Sequence, residues 1–285
     1  MARLLSDVRG VAAMRRRELR RWSGWAVALV VLALGQLAAP LVIAAVGGGA
    51  FTTADRAGEP PIVPAGYAFS IWAVIEVLSL LWAVWAALPG GPDRDLRVRL
   101  ARPLIVVFAG FTAWLIAAEL EPRWATLAVL LVMLAGLLAA TRVALQNADR
   151  IAAWTRYARA VLWGTLGLYL GWSSIAIWLN LTTALASSGA PLDGAAGLIG
   201  QLGILAGATA TAVALLRWTG VLVPYLAAVV WAFVGAALGA RGAGEPVLAL
   251  AASVGLVVVL VAAVGFRWGP RMRLPGPRLR RLAEG

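Results

Sequence analysis

Residues 15–46 read RRRELRRWSGWAVALVVLALGQLAAPLVIAAV: five arginines within seven positions, then a run from Trp25 to Val46 in which Gln36 is the only strongly polar side chain. A helix needs about 20 apolar residues to cross the roughly 30 Å of hydrocarbon in a bilayer, so this run is long enough to span. Seven further runs follow: Pro64 to Leu88, Pro103 to Leu120, Trp124 to Leu145, Val161 to Leu185, Ala195 to Leu216, Thr219 to Leu238 and Pro246 to Phe266. The bilayer interior offers no water to backbone N–H and C=O groups, so the eight segments are expected as helices. The whole chain has the same character, with 285 residues, 62% apolar and only 13% charged, and a mean hydropathy of +0.86. That surface cannot be solvated as a soluble enzyme would be. The expected fold class is all-α, a polytopic membrane protein of eight transmembrane helices.

Eight crossings put both termini on one side, and the arginines identify which. The formal net charge is +12, and every basic residue is Arg. Taking the tails as cytoplasmic, twenty-two arginines fall on that side and three, Arg56, Arg123 and Arg241, on the other. Basic residues are retained on the cytoplasmic face during insertion, which orients the chain in the cell inner membrane with both tails cytoplasmic. This distribution also argues against nucleic acid as the partner of the basic tails, because arginines beside spans are accounted for by topology and by anionic lipid headgroups. Arg16-Arg17 before an apolar run suggests a secretory leader, but the run is too long for one and an uncleaved first span explains it.

Chemistry is restricted by what the chain lacks. Without Cys, His or Lys, it has no thiolate nucleophile, imidazole base, Cys/His zinc site or Schiff-base amine, and no metal site or catalytic constellation is expected. Gly47-Gly48-Gly49 is followed by no Lys and so forms no phosphate loop. The fourteen tryptophans are the unusual feature. Trp22, Trp25, Trp82, Trp85, Trp124, Trp154, Trp163, Trp218 and Trp268 fall near helix ends, where indole anchors at the headgroup boundary. Trp72, Trp114, Trp172, Trp178 and Trp231 lie deeper, where each indole N–H needs a partner and the ring must pack against helix, lipid or ligand.

The segment Pro64-Ala65-Gly66-Tyr67-Ala68-Phe69-Ser70-Ile71-Trp72 resembles the start of the second helix in the TspO/MBR family, the tryptophan-rich sensory proteins related to the translocator protein. A second match, Tyr169-Leu170-Gly171-Trp172 through Trp178-Leu179-Asn180, is similar to that family's fifth helix. The resemblance covers roughly Trp25 to Leu185. It implies a five-helix transmembrane bundle over residues 25–187, with a basic tail at 1–24, three additional helices over 188–268 and a second basic tail at 269–285. It further implies a pocket, covered by the first exterior loop, for a porphyrin or other large apolar ligand; a tetrapyrrole would be a ligand there, and no cofactor is implied. A homodimer is compatible with the resemblance, although no spacing defines an interface. Two positions depart from the family wording, with Glu76 standing where Tyr is usual and Phe111 where Asn is usual.

Glu76 is the only carboxylate deep in a span, about 18 Å of helix rise from Pro64 and too far from either surface to snorkel. Such an acid is expected to be neutral, hydrogen-bonded or facing a wet cavity. Counting inward from the exterior boundary puts Ser173 and Gln36 at about its depth, within reach if the second helix packs between the first and fifth. The expected site lining is Tyr67, Phe69, Trp72, Glu76, Trp114, Trp172, Ser173 and Asn180, with aromatic rings holding a flat ligand and Glu76 or Ser173 meeting its polar groups. Asn180, near the exterior helix end, is expected to bind a neighbouring carbonyl or cap the loop, a structural role, while also counted in the lining. The reading is of a non-enzymatic binding protein acting as regulator or carrier. A proton-coupled secondary transporter using Glu76 is the alternative, and a structural membrane partner is a third.

Overall fold

The computed structural model of the chain describes residues 23–46, 59–120 and 124–268. Both basic tails, the Gly47–Gly49 run, Trp22, Arg56 and Arg123 lie outside the described residues. Among the described residues, eight helices are long and apolar enough to cross a membrane. They are α1 (Gly24–Ala45), α2 (Ile71–Ala87, entered through a 3-10 turn at Gly66–Ser70), α3 (Arg94–Leu120), α4 (Ala125–Gln146), α5 (Arg156–Ser187), α6 (Gly194–Trp218), α7 (Val223–Gly242) and α8 (Pro246–Trp268). No strand occurs among the described residues, and the chain is an all-α multi-pass membrane protein. The helices follow local start and stop signals, so α3 and α5 begin well before their apolar runs, at Arg94 and Arg156. Thr155 caps α5 by accepting from the Ala158 N–H, and Pro224 occupies the first turn of α7, where its missing N–H costs nothing.

Two rings of helices share one member. Around the first, the neighbours run α1, α3, α4, α5, α2 and back to α1, so α2 does pack between α1 and α5. Around the second they run α5, α7, α8, α6 and back to α5. Helix α5 therefore has protein on two sides and is buried around most of its circumference, whereas α1 buries only the stripe Ala26, Leu29, Ala33 and Gln36. Its stripe of Gly167, Gly171, Ser174 and Trp178 recurs at helical spacing and faces the second ring. A Cβ on Gly171 would lie 2.6 Å from the Tyr225 carbonyl oxygen, and one on Gly167 would lie 2.7 Å from the Pro224 side chain. Only glycine lets the two backbones approach this closely. Ser174 Oγ lies 3.3 Å from the Tyr225 hydroxyl, and Trp178 donates to Thr211 across to α6 at 3.1 Å. On the outer side of the second ring, α6 and α8 bound an apolar groove of about 850 Å³ lined by residues such as Leu205, Val213, Leu250 and Val254.

At the face that carries both ends of the described chain, the loops are tied together by polar contacts. Arg97 is buried, and its guanidinium donates to the carbonyls of Ala86 (2.6 Å), Leu88 (2.9 Å) and Gly91 (2.9 Å). The carbonyls of Ala86 and Leu88 are among those left over at the end of α2, and Gly91 lies in the turn after it, so the cation satisfies acceptors where the helix dipole is negative. The α2–α3 turn thus folds around this arginine. Nearby, Arg150 bridges Asp93 (2.8 Å) and Asp95 (3.0 Å), and the Trp154 indole donates to Asp93 at 2.8 Å.

The hydrogen bond from Arg150, then that from Trp154, hold the Asp93 carboxyl below the ordinary carboxylate range. A lowered folded-state value stabilises the fold above the ordinary carboxylate value of about 3.9, and the gain disappears as pH falls through the lowered value. We expect Asp93→Asn to lower the thermal midpoint in detergent by a few degrees at neutral pH. The gap between variant and parent should close in strongly acidic solution, and a gap that stays constant with pH would remove the ionised carboxylate from the account.

Candidate ligand site inside the five-helix ring

In α2, Trp72, Glu76, Ser79 and Trp82 recur at intervals of four, three and three residues, which puts them on one face of the helix. All four are buried, and they face the interior of the first ring. Opposite them, α5 presents Tyr169, Trp172 and Ser173, while α3 contributes Phe108, Phe111 and Trp114. Trp72 is the hub. Its ring centroid lies 4.7 Å from that of Phe111, 5.7 Å from Trp114, 5.5 Å from Tyr169 and 6.2 Å from Trp172. Phe69, from the turn before α2, meets Trp172 edge-on at 5.7 Å, and Phe108 stacks on Tyr169 at 6.5 Å. Edge-to-face and offset pairs at these separations add roughly 0.5–1.5 kcal/mol each beyond area burial.

Several polar groups in this aromatic cluster are buried without a hydrogen-bond partner among the described residues. They are the Trp72 Nε1, the Gln36 Nε2 and the Ser173 Oγ, followed by Ser79 Oγ and Thr141 Oγ1 nearer the terminal face. Gln36 does use its other end, where its Oε1 accepts from the Tyr169 hydroxyl at 3.0 Å. Glu76 is 5% exposed, one turn along α2 from Trp72 and within electrostatic reach of Tyr169, and no described residue hydrogen-bonds it. An unpaired buried polar group costs about 1–3 kcal/mol, so a cluster of them facing inward is uncommon in a purely structural core.

The sequence-derived lining is mostly brought together. Phe69, Trp72, Trp114 and Trp172 form one aromatic cluster, with Ser173 buried beside it. Asn180 ties across the ring, accepting from the Trp114 indole at 3.3 Å while its amide donates to the Ala176 carbonyl at 2.9 Å. Tyr67 turns elsewhere; it is 46% exposed and meets Trp231 of α7 edge-on at 5.5 Å. Ser173 is also not level with Glu76. Trp172 lies opposite Phe69, Tyr169 opposite Trp72, and Gly164 opposite Leu78, which sets Glu76 level with Leu166. Ser173 is seven residues, or about 10 Å, further toward the opposite face, because α5 projects beyond α2 there.

Residues missed from sequence include Tyr169, Phe108 and Phe111, although Phe111 and Tyr169 sit three residues before Trp114 and Trp172 on the same helix faces. Two of the expected interfacial anchors are interior instead. Trp82 and Trp154 are buried and stack 6.0 Å apart, with Trp85 at 5.3 and 4.9 Å from them and the Arg97 cation 6.0 Å from the Trp85 ring. These three rings fill the terminal-face end of the ring interior because the Arg97 and Asp93 contacts draw their loops inward. The deep tryptophans Trp114, Trp178 and Trp231 do find acceptors, as their depth requires.

Removing the hub should show which part of it the fold needs. We expect Trp72→Ala to cost about 3–5 kcal/mol of stability through the cavity it leaves. Trp72→Phe should cost less than about 1.5 kcal/mol, since it keeps most of the ring and deletes an N–H with no acceptor among the described residues. Equilibrium unfolding in mixed detergent measures both, and equal losses would mean the indole N–H is paired within the protein.

No curated protein and no solved structure matches the chain. A family described as TSPO-like protein matches residues 21–265, which takes in seven of the eight spans whole and all but the last three residues of the eighth. With the aromatic face of α2 set against the Tyr169–Asn180 stretch of α5 inside a closed five-helix ring, and a match over most of its length, the chain belongs to the TSPO-like family of membrane proteins.

Proposed function

We propose that this chain binds a large flat apolar molecule, a porphyrin or other tetrapyrrole, inside the five-helix ring, and acts as a regulator or carrier and not as an enzyme. The observation that carries this reading is the coincidence of an aromatic cluster centred on Trp72 with buried polar atoms of Trp72, Gln36 and Ser173 that have no partner among the described residues, and with the buried Glu76 carboxyl one turn along α2. Such a lining suits a ligand with a wide π-face and a few polar substituents. The chain has neither His nor Cys, so the tetrapyrrole is read as a ligand and not as a cofactor held through its metal. In this reading the arginine-rich face is cytoplasmic, the membrane is the cell inner membrane, and the protein's partners are the bilayer and this small molecule, with a homodimer as a family expectation.

Titration of the purified protein with protoporphyrin IX, followed by its own tryptophan emission, tests the reading. Saturable quenching is expected, and Trp72→Ala or Trp114→Ala should weaken binding roughly tenfold, the equivalent of about one aromatic contact. Haem should bind no more tightly than the metal-free porphyrin, since no imidazole or thiolate is present to ligate iron. Linear, non-saturating quenching would discard the proposal.

A second reading, proton-coupled transport through Glu76, is favoured by the unpartnered Ser79 and Thr141 hydroxyls that lie between Glu76 and the terminal face. It requires uptake into proteoliposomes that depends on a proton gradient and fails in Glu76→Gln. Uptake that survives this substitution would leave the binding reading alone.

A further inference from the structure

The residues leading into α2 are held by a helix outside the ring. Ala65 donates its N–H to the Gly235 carbonyl of α7 at 3.1 Å, and the Trp231 indole of α7 donates to the Ala68 carbonyl at 2.8 Å. The fit is close along a turn-and-turn-again stripe of α7. A Cβ on Gly235 would lie 2.8 Å from the Ala68 Cβ, and one on Gly239 would run into the Val63 carbonyl oxygen. Tyr67 packs edge-on against Trp231 at 5.5 Å, and Ile62, Ala68 and Pro64 are buried in the same contact region. These bonds are made to backbone carbonyl and amide groups that precede the first full turn of α2, so they fix the chain's path without regard to its side chains. The next residue, Phe69, lies against Trp172 at the level of Ser173, at the end of the ring interior remote from the Trp82–Trp154 stack.

We propose that α7 is the positioning element of the ligand site: Trp231, Gly235 and Gly239 clamp residues 62–70 over the ring and thereby control access to its interior. Access is then set by the second ring, which gives the three additional helices a role in binding although none of these α7 residues need touch the ligand. The coupling has a physical route, because α7 is fixed independently to α5 at Gly167 and Gly171, so the segment it holds is referenced to the same helix that carries Trp172 and Ser173. The proposal rests on reading the ring interior as the binding site, but its test uses no ligand and so fails or succeeds separately from porphyrin binding.

The chain contains no cysteine, so single reporters can be placed without background. Ile62→Cys reports on the clamped segment, Ser173→Cys on the ring interior beneath it, and Thr141→Cys on the ring interior near the terminal face; all three positions are fully buried. Each is combined with Trp231→Phe, which deletes the bond to the Ala68 carbonyl while keeping an aromatic ring, and with Gly239→Ala, which displaces the segment at Val63. Reaction rates with a small thiol reagent are measured in the full-length protein in liposomes. Rates at Ile62→Cys and Ser173→Cys should rise roughly five- to tenfold in Trp231→Phe, the factor that losing one hydrogen bond allows, and further in Gly239→Ala, with Thr141→Cys unchanged. Parental rates at Ser173→Cys in both backgrounds would overturn the proposal, and so would equal acceleration at Thr141→Cys, which would mean general loosening. If Gly239→Ala does not fold, the Trp231→Phe comparison decides alone.

Discussion

The close approach of α5 to α7 is the constraint on which the rest of the architecture depends. Lipid gives apolar helices no hydrophobic reason to associate, so packing must come from backbones that approach closely enough for dispersion and short polar contacts to count. Gly167 and Gly171 provide this on one side of α5, against the backbone at Pro224 and Tyr225. That contact leaves the opposite side of α5 free to turn Tyr169, Trp172 and Ser173 into the first ring. A single helix thus serves as the wall between two rings, and its two faces are chemically distinct: small residues where another backbone must approach, and aromatic and hydroxyl groups where the ring interior must be filled.

The ring interior changes character along its length. Toward one end it holds the cluster around Trp72, tied across by the Trp114–Asn180 bond. Toward the terminal face it narrows to the stacked Trp82, Trp85 and Trp154, backed by the Arg97 guanidinium. Between them, on the same face of α2, lie Glu76 and Ser79. Aromatic side chains at both ends supply bulk and rigidity at low entropic cost, so the polar groups between them are held in place without being paired to one another. The tryptophans are divided among separate tasks: some fill the two ends of the ring interior, Trp178 ties α5 to α6, and Trp231 ties α7 to the segment before α2.

Part of the site was legible in sequence for a simple reason. Residues such as Phe69, Trp72, Trp172 and Asn180 lie on two helices whose wording resembles a known family, and helical spacing alone puts Trp72 and Glu76 on one face. Tyr67 departs from the expected lining because it precedes the first full turn of α2, where the 3-10 path turns its ring toward α7. Sequence puts Ser173 at the wrong level, because a depth reckoned from apolar boundaries ignores how far α5 extends past them. Trp82 and Trp154 look like interface anchors in sequence because nearness to a helix end does not say whether that end faces lipid or folds over the bundle.

The sequence by itself determined the number of spans, since the requirement for about 20 apolar residues and for internally satisfied backbone bonds is local to each segment. It also determined the absence of imidazole, thiol and amine chemistry, which is a matter of composition. Which helices are neighbours, which tryptophans meet, and that α7 holds the entry to α2 were decided only by the tertiary structure. Glycines that permit a close approach look the same in sequence as glycines that merely tolerate lipid, and it is the partner backbone at Tyr225 or Val63 that tells them apart.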